Sequence, residues 1–324
     1  MSGNNHSEKE ISLMVAICEL YYYKKKTQEE IGEILNISRP KVSRLLTQAR
    51  EKGIIEIRVK NPIAHNEDLK KELKDVFNLK EAVITPMAVD NQEVIVPRIA
   101  SAAAEFISEN LPSNSVLGLG RGRTVFEVFN SFPGKKSLNP TLIPLSGGLG
   151  QGDAGFPVNE LLARAASVLD GKSHFLYAPA LLQKSEIRES ILTEPHSRRV
   201  IQLWDQMDWV VVGIGTIPPL REFEDPDFYR GLNAFVRETG KNPIADICLW
   251  YVLENGELPQ TSRQNCLIAA TPGQLEQAKM RLAVAGGLTK ARSIYAVLQT
   301  GLINALITEE KTAEELIRLK EQKG

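Results

Sequence analysis

Residues Thr27–Lys52 read TQEEIGEILNISRPKVSRLLTQAREK, and their spacing predicts two helices joined by a tight turn. Ile31, Ile34 and Leu35 fall at helical period on one face of the first. Thr27 is placed to cap it, and Glu30, three residues on, can close a capping box. Gly32 stands where a second helix must cross closely, which only a small residue allows. Asn36 tolerates the left-handed conformation that ends a helix. Ser38 is the expected cap of the second helix, with Pro40 in its first turn, where a missing N–H costs nothing. Val42, Leu45, Leu46 and Ala49 make its apolar face, and Gly53 ends it. The opposite face begins with Arg39, Lys41, Ser43 and Arg44. A recognition helix presents its N-terminal residues to base edges in the major groove, so the pattern is that of a helix-turn-helix. Arg suits guanine, while Ser and Lys serve phosphates or bases. The candidate DNA contacts are Ser38, Arg39, Lys41, Ser43 and Arg44. A three-helix packing module with a solvated basic face would share the apolar spacing, but gives no reason for caps and basic residues to coincide.

Working outward, Lys9–Tyr23 predicts a preceding helix with Ile11, Met14, Val15, Cys18 and Leu20 as its stripe. Tyr21, Tyr22 and Tyr23 at its end suit the core better than the DNA backbone. After Gly53 the run Ile54–Lys60 alternates from Ile55 onward and predicts the strand of a wing. Asn61-Pro62 marks a boundary, giving a DNA-binding domain over 1–60 and a larger domain over 61–324. A charged helix over Glu67–Phe77, with Leu69, Leu73 and Val76, is either a linker that pairs with a partner chain or a solvated connector.

The 324 residues allow one small and one larger domain, and 43% apolar content suits a sizeable core. No apolar run approaches the roughly 20 residues that span a membrane, so no membrane partner is expected. The polar start MSGNNHSEKE lacks a signal peptide's apolar stretch. Cys18, Cys248 and Cys266 form no metal or redox spacing and fit small buried residues in a reducing compartment, so a cytoplasmic location is expected. His6, His65, His174 and His196 are equally scattered, and neither a metal nor a cofactor is expected. Net charge is −1, so affinity for DNA must come from local charge: Lys24, Lys25, Lys26, Arg39, Lys41, Arg44, Arg50, Lys52, Arg58 and Lys60.

From Lys80 short apolar runs alternate with amphipathic helices. Strands are expected at 82–85, 115–118, 141–144, 173–177, 209–213, 266–270, 281–285 and 305–308. Helices are expected at 91–110, 124–132, 158–169, 195–206, 228–239, 271–280, 290–300 and 312–323. That alternation predicts an α/β domain with a doubly wound, Rossmann-like, mostly parallel sheet. Ligands on such sheets bind at the carboxyl ends of strands, at a topological switch point.

Glycines mark four of those strand ends. Gly118-Leu119-Gly120-Arg121-Gly122-Arg123-Thr124 joins a strand to a helix start, where backbone N–H groups, the Arg123 fork and the Thr124 hydroxyl can receive an anion. The dinucleotide fingerprint fails, because its third glycine would fall at Arg123 and no acid follows the next strand. Ser146–Gly152 is a second cluster, with Asn159 at the next helix start, and Gly213-Ile214-Gly215 is a third. Ala285-Gly286-Gly287-Leu288-Thr289-Lys290 is the fourth, with Gly287 and Lys290 placed for a phosphate. Singly each is a turn; four on one sheet edge make a ligand crevice. A phosphate group would take its anion contacts from Gly120, Gly122, Arg123, Thr124, Gly287 and Lys290.

In order along nearly the whole chain stand Ser38-Arg39-Pro40-Lys41-Val42-Ser43-Arg44-Leu45-Leu46, Gly120–Thr124, Gly147-Gly148-Leu149, Ala178-Pro179-Ala180, Val212–Gly215, Ala245-Asp246-Ile247 and Ala285–Lys290. This series resembles the SorC family of bacterial sugar-responsive transcription regulators. The resemblance implies an N-terminal winged helix-turn-helix followed by a sugar-phosphate-isomerase-like effector domain, and tetrameric assembly; a homo-oligomer, dimer at minimum, is expected. It also implies effector contacts at Thr124, Gly147, Gly148, Asn159, Asp246 and Lys290. Family members often carry Trp where Arg121 stands, glycine before Asp246 where this chain has Pro243-Ile244-Ala245, and Thr-Asp where it has Thr308-Glu309. The expected role is a regulator, a repressor of carbohydrate catabolism genes, that binds operator DNA under control of a phosphorylated sugar. The alternative is a sugar-phosphate isomerase using Asp246, Glu309 and Lys290 to move protons, for which the helix-turn-helix would have no use.

Overall fold

In the computed structural model, which describes residues 4–55, 67–87, 89–150, 156–218 and 226–322 (backbone alone over 4–8 and 226–230), the chain divides into two units, Met1–Pro62 and Ile63–Gly324. In the first unit, α1 (Asn4–Cys18) runs into a π-helical turn, Glu19–Tyr23, followed by α2 (Gln28–Leu35) and α3 (Arg39–Glu51). Met14, Ile17, Cys18, Ile31, Val42, Leu45, Leu46 and Ala49 form its core. The capping box on α2 is made: the Glu30 amide donates to Thr27 Oγ1 at 3.2 Å and the Thr27 amide donates to Glu30 Oε2 at 2.8 Å. Asn36 ends the helix at φ +50.

Four details differ from the sequence reading. Ile34 is 55% exposed, because the packed face of α2 runs through Ile31, Gly32 and Leu35, about a third of a turn away. Ile11 and Val15 also face outward, while Ile17 fills the core. A Cβ on Gly32 would stand 2.8 Å from the Ile37 carbonyl oxygen, so its small size makes room for the turn itself. Ser38 has the extended backbone of a cap but makes no capping hydrogen bond with its side chain. The wing strand expected to Lys60 lies, from residue 56 onward, outside the described residues. The π-helical turn is tied to α3 by Arg50, whose Nη2 donates to the Tyr22 hydroxyl at 2.8 Å.

The second unit begins with α4 (Glu67–Phe77). It is no solvated connector: Leu69 and Leu73 are buried, and Phe77 packs edge-on against Tyr295 at 5.9 Å. Strands and helices then follow as β1 (Glu81–Thr85), α5 (Gln92–Asn110), β2 (Val116–Leu119), α6 (Arg123–Asn130), β3 (Thr141–Pro144), α7 (Val158–Leu169) and β4 (Lys172–Ser173). Next come α8 (Ser185–Thr193), α9 (Pro195–Trp204), β5 (Trp209–Val212), β6 (Gly215–Thr216), α10 (Pro226–Thr239), β7 (Ala245–Ile247) and β8 (Trp250–Val252). The chain closes with α11 (Pro272–Gln277), β9 (Met280–Val284), α12 (Ala291–Gln299), β10 (Ala305–Glu309) and α13 (Glu310–Glu321).

Seven strands form one parallel sheet in the order β1-β10-β9-β5-β2-β3-β4. The central strand Trp209–Val212 is apolar and buried on both faces, since helices cover both. One core lies around α5, α6 and α7 and includes Ile99, Phe129 and Leu162. The other includes Leu73, Trp204, Ile294 and Leu316. The chain goes from β2 to β3 and β4 on one side, then returns to place β5 on the other side of β2. The gap beyond β2 and β5 is therefore the topological switch point.

The sequence reading missed a three-stranded antiparallel sheet, β6-β7-β8. Two expected strands are not continuous. Of 173–177 only Ser173 is in a strand, and 266–270 begins as the end of a 3₁₀ turn, Ser262–Cys266, continued by isolated bridges such as Leu181 to Leu267.

Candidate functional site

At the switch point lies a cavity of about 240 Å³ lined by the ends of several strands. The turn after β2 and the start of α6 contribute Gly120–Thr124, the segment after β3 contributes Leu145 and Ser146, and the end of β5 with the turn into β6 contributes Val212–Gly215. Asp246 comes from β7, Cys248 and Leu249 from the β7–β8 turn, and Lys290 from the turn after β9. Six of the sequence-predicted effector residues thus converge here: Gly120, Gly122, Arg123, Thr124, Asp246 and Lys290.

Each plays a definable part. The Gly120 amide donates to the Val211 carbonyl at 2.9 Å, so it is committed to the sheet and not offered to a ligand. Its missing side chain matters instead, since a Cβ would come 3.1 Å from Val212 Cγ1. Gly122 caps α6 at φ +125, a conformation that side chains resist. Arg123 and Thr124 open the first turn of α6, whose amides have no partner within the helix and favour an anion. The Arg123 guanidinium is held by Glu93, Nη1 to Oε1 at 2.8 Å.

Asp246 and Lys290 line the same cavity. Asp246 keeps an opening to the cavity but is surrounded by protein atoms. Burial pushes its carboxyl above the ordinary range, against the pull of Arg121, the Leu249 amide, Arg263 and Lys290. Burial also pulls the Lys290 ammonium below the ordinary range; Asp246 opposes this and Arg123 adds to it. Lys290 Nζ donates to the Ile214 carbonyl at 3.4 Å, a long bond that a better acceptor can replace. Burial raises the Cys248 thiol as well, which keeps it un-ionised. The site therefore combines cations, a helix start and one acceptor carboxylate, a set that can grip an anion and read hydroxyls.

The other four effector candidates are not on this cavity. Gly147 donates its amide to Ile268 at 3.0 Å, and a Cβ there would overlap the Ala178 carbonyl. Gly148 is locked by the Ala178 carbonyl at 2.9 Å and the Ala180 amide at 2.7 Å, and lines a second cavity of about 630 Å³ with Leu249, Tyr251 and Arg263. Asn159 lies in the first turn of α7, with its Oδ1 buried and unpartnered. The Gly287 amide is taken by Glu309 Oε1 at 3.1 Å and Thr312 Oγ1 at 2.8 Å, so it is not a free phosphate donor. Glu309 itself is buried as the cap of α13, bonded to the Thr312 amide and hydroxyl, and does not line the cavity.

Sequence reasoning missed the cavity's Cys248 and Leu249. They form the β7–β8 turn with φ of +49 and +69, and neither glycine nor asparagine marks them. It also missed Glu93, whose only signal is a place in the first turn of a helix.

In the first unit, Ser38, Arg39, Lys41, Ser43 and Arg44 are all exposed at the start of α3. Arg39 Nε meets Glu29 Oε1 at 2.6 Å across the turn, while Arg50 is turned to Tyr22. No three His, Cys, Asp or Glu among the described residues could hold a metal ion together. No helix among them is long and apolar enough to cross a membrane.

Comparison with known proteins follows the same division. Residues 61–318 match the model of a sugar-binding domain family, and residues 16–52 match region 4 of sigma-70 factors. The chain is 30% identical over 311 residues to the sorbitol operon regulator of Klebsiella pneumoniae, covering 95% of this chain and 98% of that one. It is 25% identical over 309 residues to the deoxyribonucleoside regulator of Bacillus subtilis, covering 94% and 97%. The crystal structure of the full-length Klebsiella regulator SorC matches with a TM-score of 0.74 over 95% of this chain and 98% of that chain. These relatives are transcription regulators and not enzymes. The chain belongs to the SorC family of transcription regulators, with a helix-turn-helix region ahead of an α/β sugar-binding domain.

Proposed function

We propose that this regulator binds operator DNA through the start of α3 and represses carbohydrate catabolism genes until a phosphorylated sugar enters the switch-point cavity. The observation that carries the reading is the convergence of Arg121, Arg123, Lys290 and the α6 start around one cavity that also holds Asp246. The phosphate dianion suits the cations and the helix start; the sugar hydroxyls suit the acceptor-only carboxylate. Gly120, Gly122, Arg123, Thr124, Asp246 and Lys290 make the site. Gly147, Gly148, Asn159 and Gly287 act around it, by shaping turns and helix starts.

Ser38, Arg39, Lys41, Ser43 and Arg44 face the DNA, with Arg44 reading a base. The division falls near residue 60, with 1–60 for DNA and 61–324 for effector and assembly. One helix-turn-helix reads a half-site, so the working form in the cytoplasm is a homodimer or homotetramer on a symmetric operator. Light scattering of a single-chain mass at micromolar concentration, with and without DNA, would contradict that assembly.

The direct test of the ligand class is a thermal-shift screen against sugar phosphates and their unphosphorylated parents. A ligand bound only by the native state must raise the melting temperature. The reading predicts stabilisation by a phosphorylated sugar and none by its parent sugar at the same concentration. Equal stabilisation by both would remove the phosphate from the account.

A further inference from the structure

Arg123 reaches the cavity wall already engaged. Its guanidinium meets the Glu93 carboxylate in a two-pronged pair, Nη1 to Oε1 at 2.8 Å and Nη2 to Oε2 at 2.9 Å. A guanidinium grips a phosphate with the same parallel fork. Glu93 sits in the first turn of α5, where its amide donates to the capping Asn91 Oδ1 at 2.8 Å. Its neighbours reach across to the turn after β9 that carries Lys290. Gln92 Nε2 donates to the Gly286 carbonyl at 2.9 Å, and Asp90 Oδ1 accepts from the Leu288 amide at 3.3 Å. One short segment, Asp90–Glu93, therefore places two carboxylates on donors beside the cavity, and joins the glycine turn after β2 to the one after β9.

We propose that Glu93 is an internal competitor for the effector's anion. It occupies the Arg123 fork while the cavity is empty, and an entering phosphate must take that fork from it. The proposal rests on the phosphosugar reading of the cavity. An ion pair this exposed, with Glu93 at 73% and Arg123 at 40%, is weak enough for a dianion to displace. The consequence is an affinity threshold set by Glu93, and a link from ligand entry to the first turn of α5. Glu93 is a positioning residue: it acts through Arg123 and touches no ligand.

The test is calorimetric titration of the full chain with inorganic phosphate at low, fixed salt. The chains compared are wild type, Glu93→Gln, Arg123→Ala, the double variant and Lys290→Ala. Glu93→Gln should tighten phosphate binding about threefold to fivefold, the scale of one exposed pair. Arg123→Ala should weaken it, and the double variant should match Arg123→Ala, because the competitor acts only through that fork. A gain that persists in the double variant would reduce Glu93 to a general charge effect and overturn the proposal. Wild-type affinity in Glu93→Gln, with loss in Lys290→Ala, would keep the cavity as the anion site and overturn the competitor. No loss in Lys290→Ala would overturn the cavity reading, and the proposal with it.

Discussion

The Asp246 carboxylate lies against the Cα of Gly215, its partner across the β6–β7 pair, so closely that a Cβ at position 215 would overlap Oδ1. Gly215 is therefore the floor that lets the acceptor of the cavity sit where it does. Its φ lies outside the left-handed region, so an added methyl acts by space alone. Gly215→Ala should push the carboxylate out of place at an overpacking cost of about 1–3 kcal/mol. The expected outcome is a folded protein with a lowered melting temperature and a lost or altered sugar preference. Unchanged sugar selectivity by thermal shift would show that Asp246 does not read the ligand.

The buried carboxyl also makes stability depend on pH. The folded-state pKa of Asp246 is raised by burial despite Arg121, the Leu249 amide, Arg263 and Lys290. A raised acid contributes stability that is fully present below its unfolded pKa, about 3.9, and lost as pH climbs through the folded value. Asp246→Asn removes that loss. The variant should gain on the wild type as pH rises from about 4 toward neutrality, in melts without ligand. A difference that stays constant over that range would contradict the raised carboxyl.

Lys290 adds the opposite dependence from the same cavity. Its folded-state pKa is lowered by burial, so its contribution is present above the ordinary lysine pKa and fades as pH falls through the lowered one. Lys290→Met should therefore stabilise the ligand-free protein more at neutral pH than at high pH. A melting difference that grows toward high pH would reverse the sign and refute the burial argument.

On the DNA side, Arg44 is exposed, whereas Arg39 is drawn to Glu29. Arg44→Ala should cost about 1–3 kcal/mol on the specific operator and relax base preference at one position. Lys41→Ala should weaken binding to all sequences and lower the salt slope by about one. Operator affinity unchanged in Arg44→Ala at fixed salt would move the reading face elsewhere on α3.

Local chemistry explains which parts were legible. The Thr27–Glu30 box and the left-handed Asn36 are each written in one or two residues close in the chain, and both formed as spacing predicts. The parallel sheet announces itself through runs such as Trp209–Val212, apolar because both faces are covered. The β6–β8 sheet was illegible because its turn, Cys248-Leu249, carries no turn residue and its strands span only two or three positions. The cavity was half legible. Lys290 and Thr124 stand at helix starts that the sequence marks, and the structure brings them together. Gly287 is marked just as clearly, yet its amide is spent on Glu309 and Thr312, which lie more than twenty residues away in the chain. Sequence locates a donor; only tertiary packing decides whether it stays free.

We propose that a phosphorylated sugar held by Lys290 controls operator binding. It is tested most directly by titrating sugar phosphates into a preformed complex with operator DNA, for wild type and Lys290→Ala side by side. Both chains should bind the operator alike without ligand. One phosphosugar should release the wild type from DNA, and Lys290→Ala should need a far higher concentration for the same release, since a ligand shifts the equilibrium only by its differential affinity for the two states. Release of both proteins at the same concentration would contradict it.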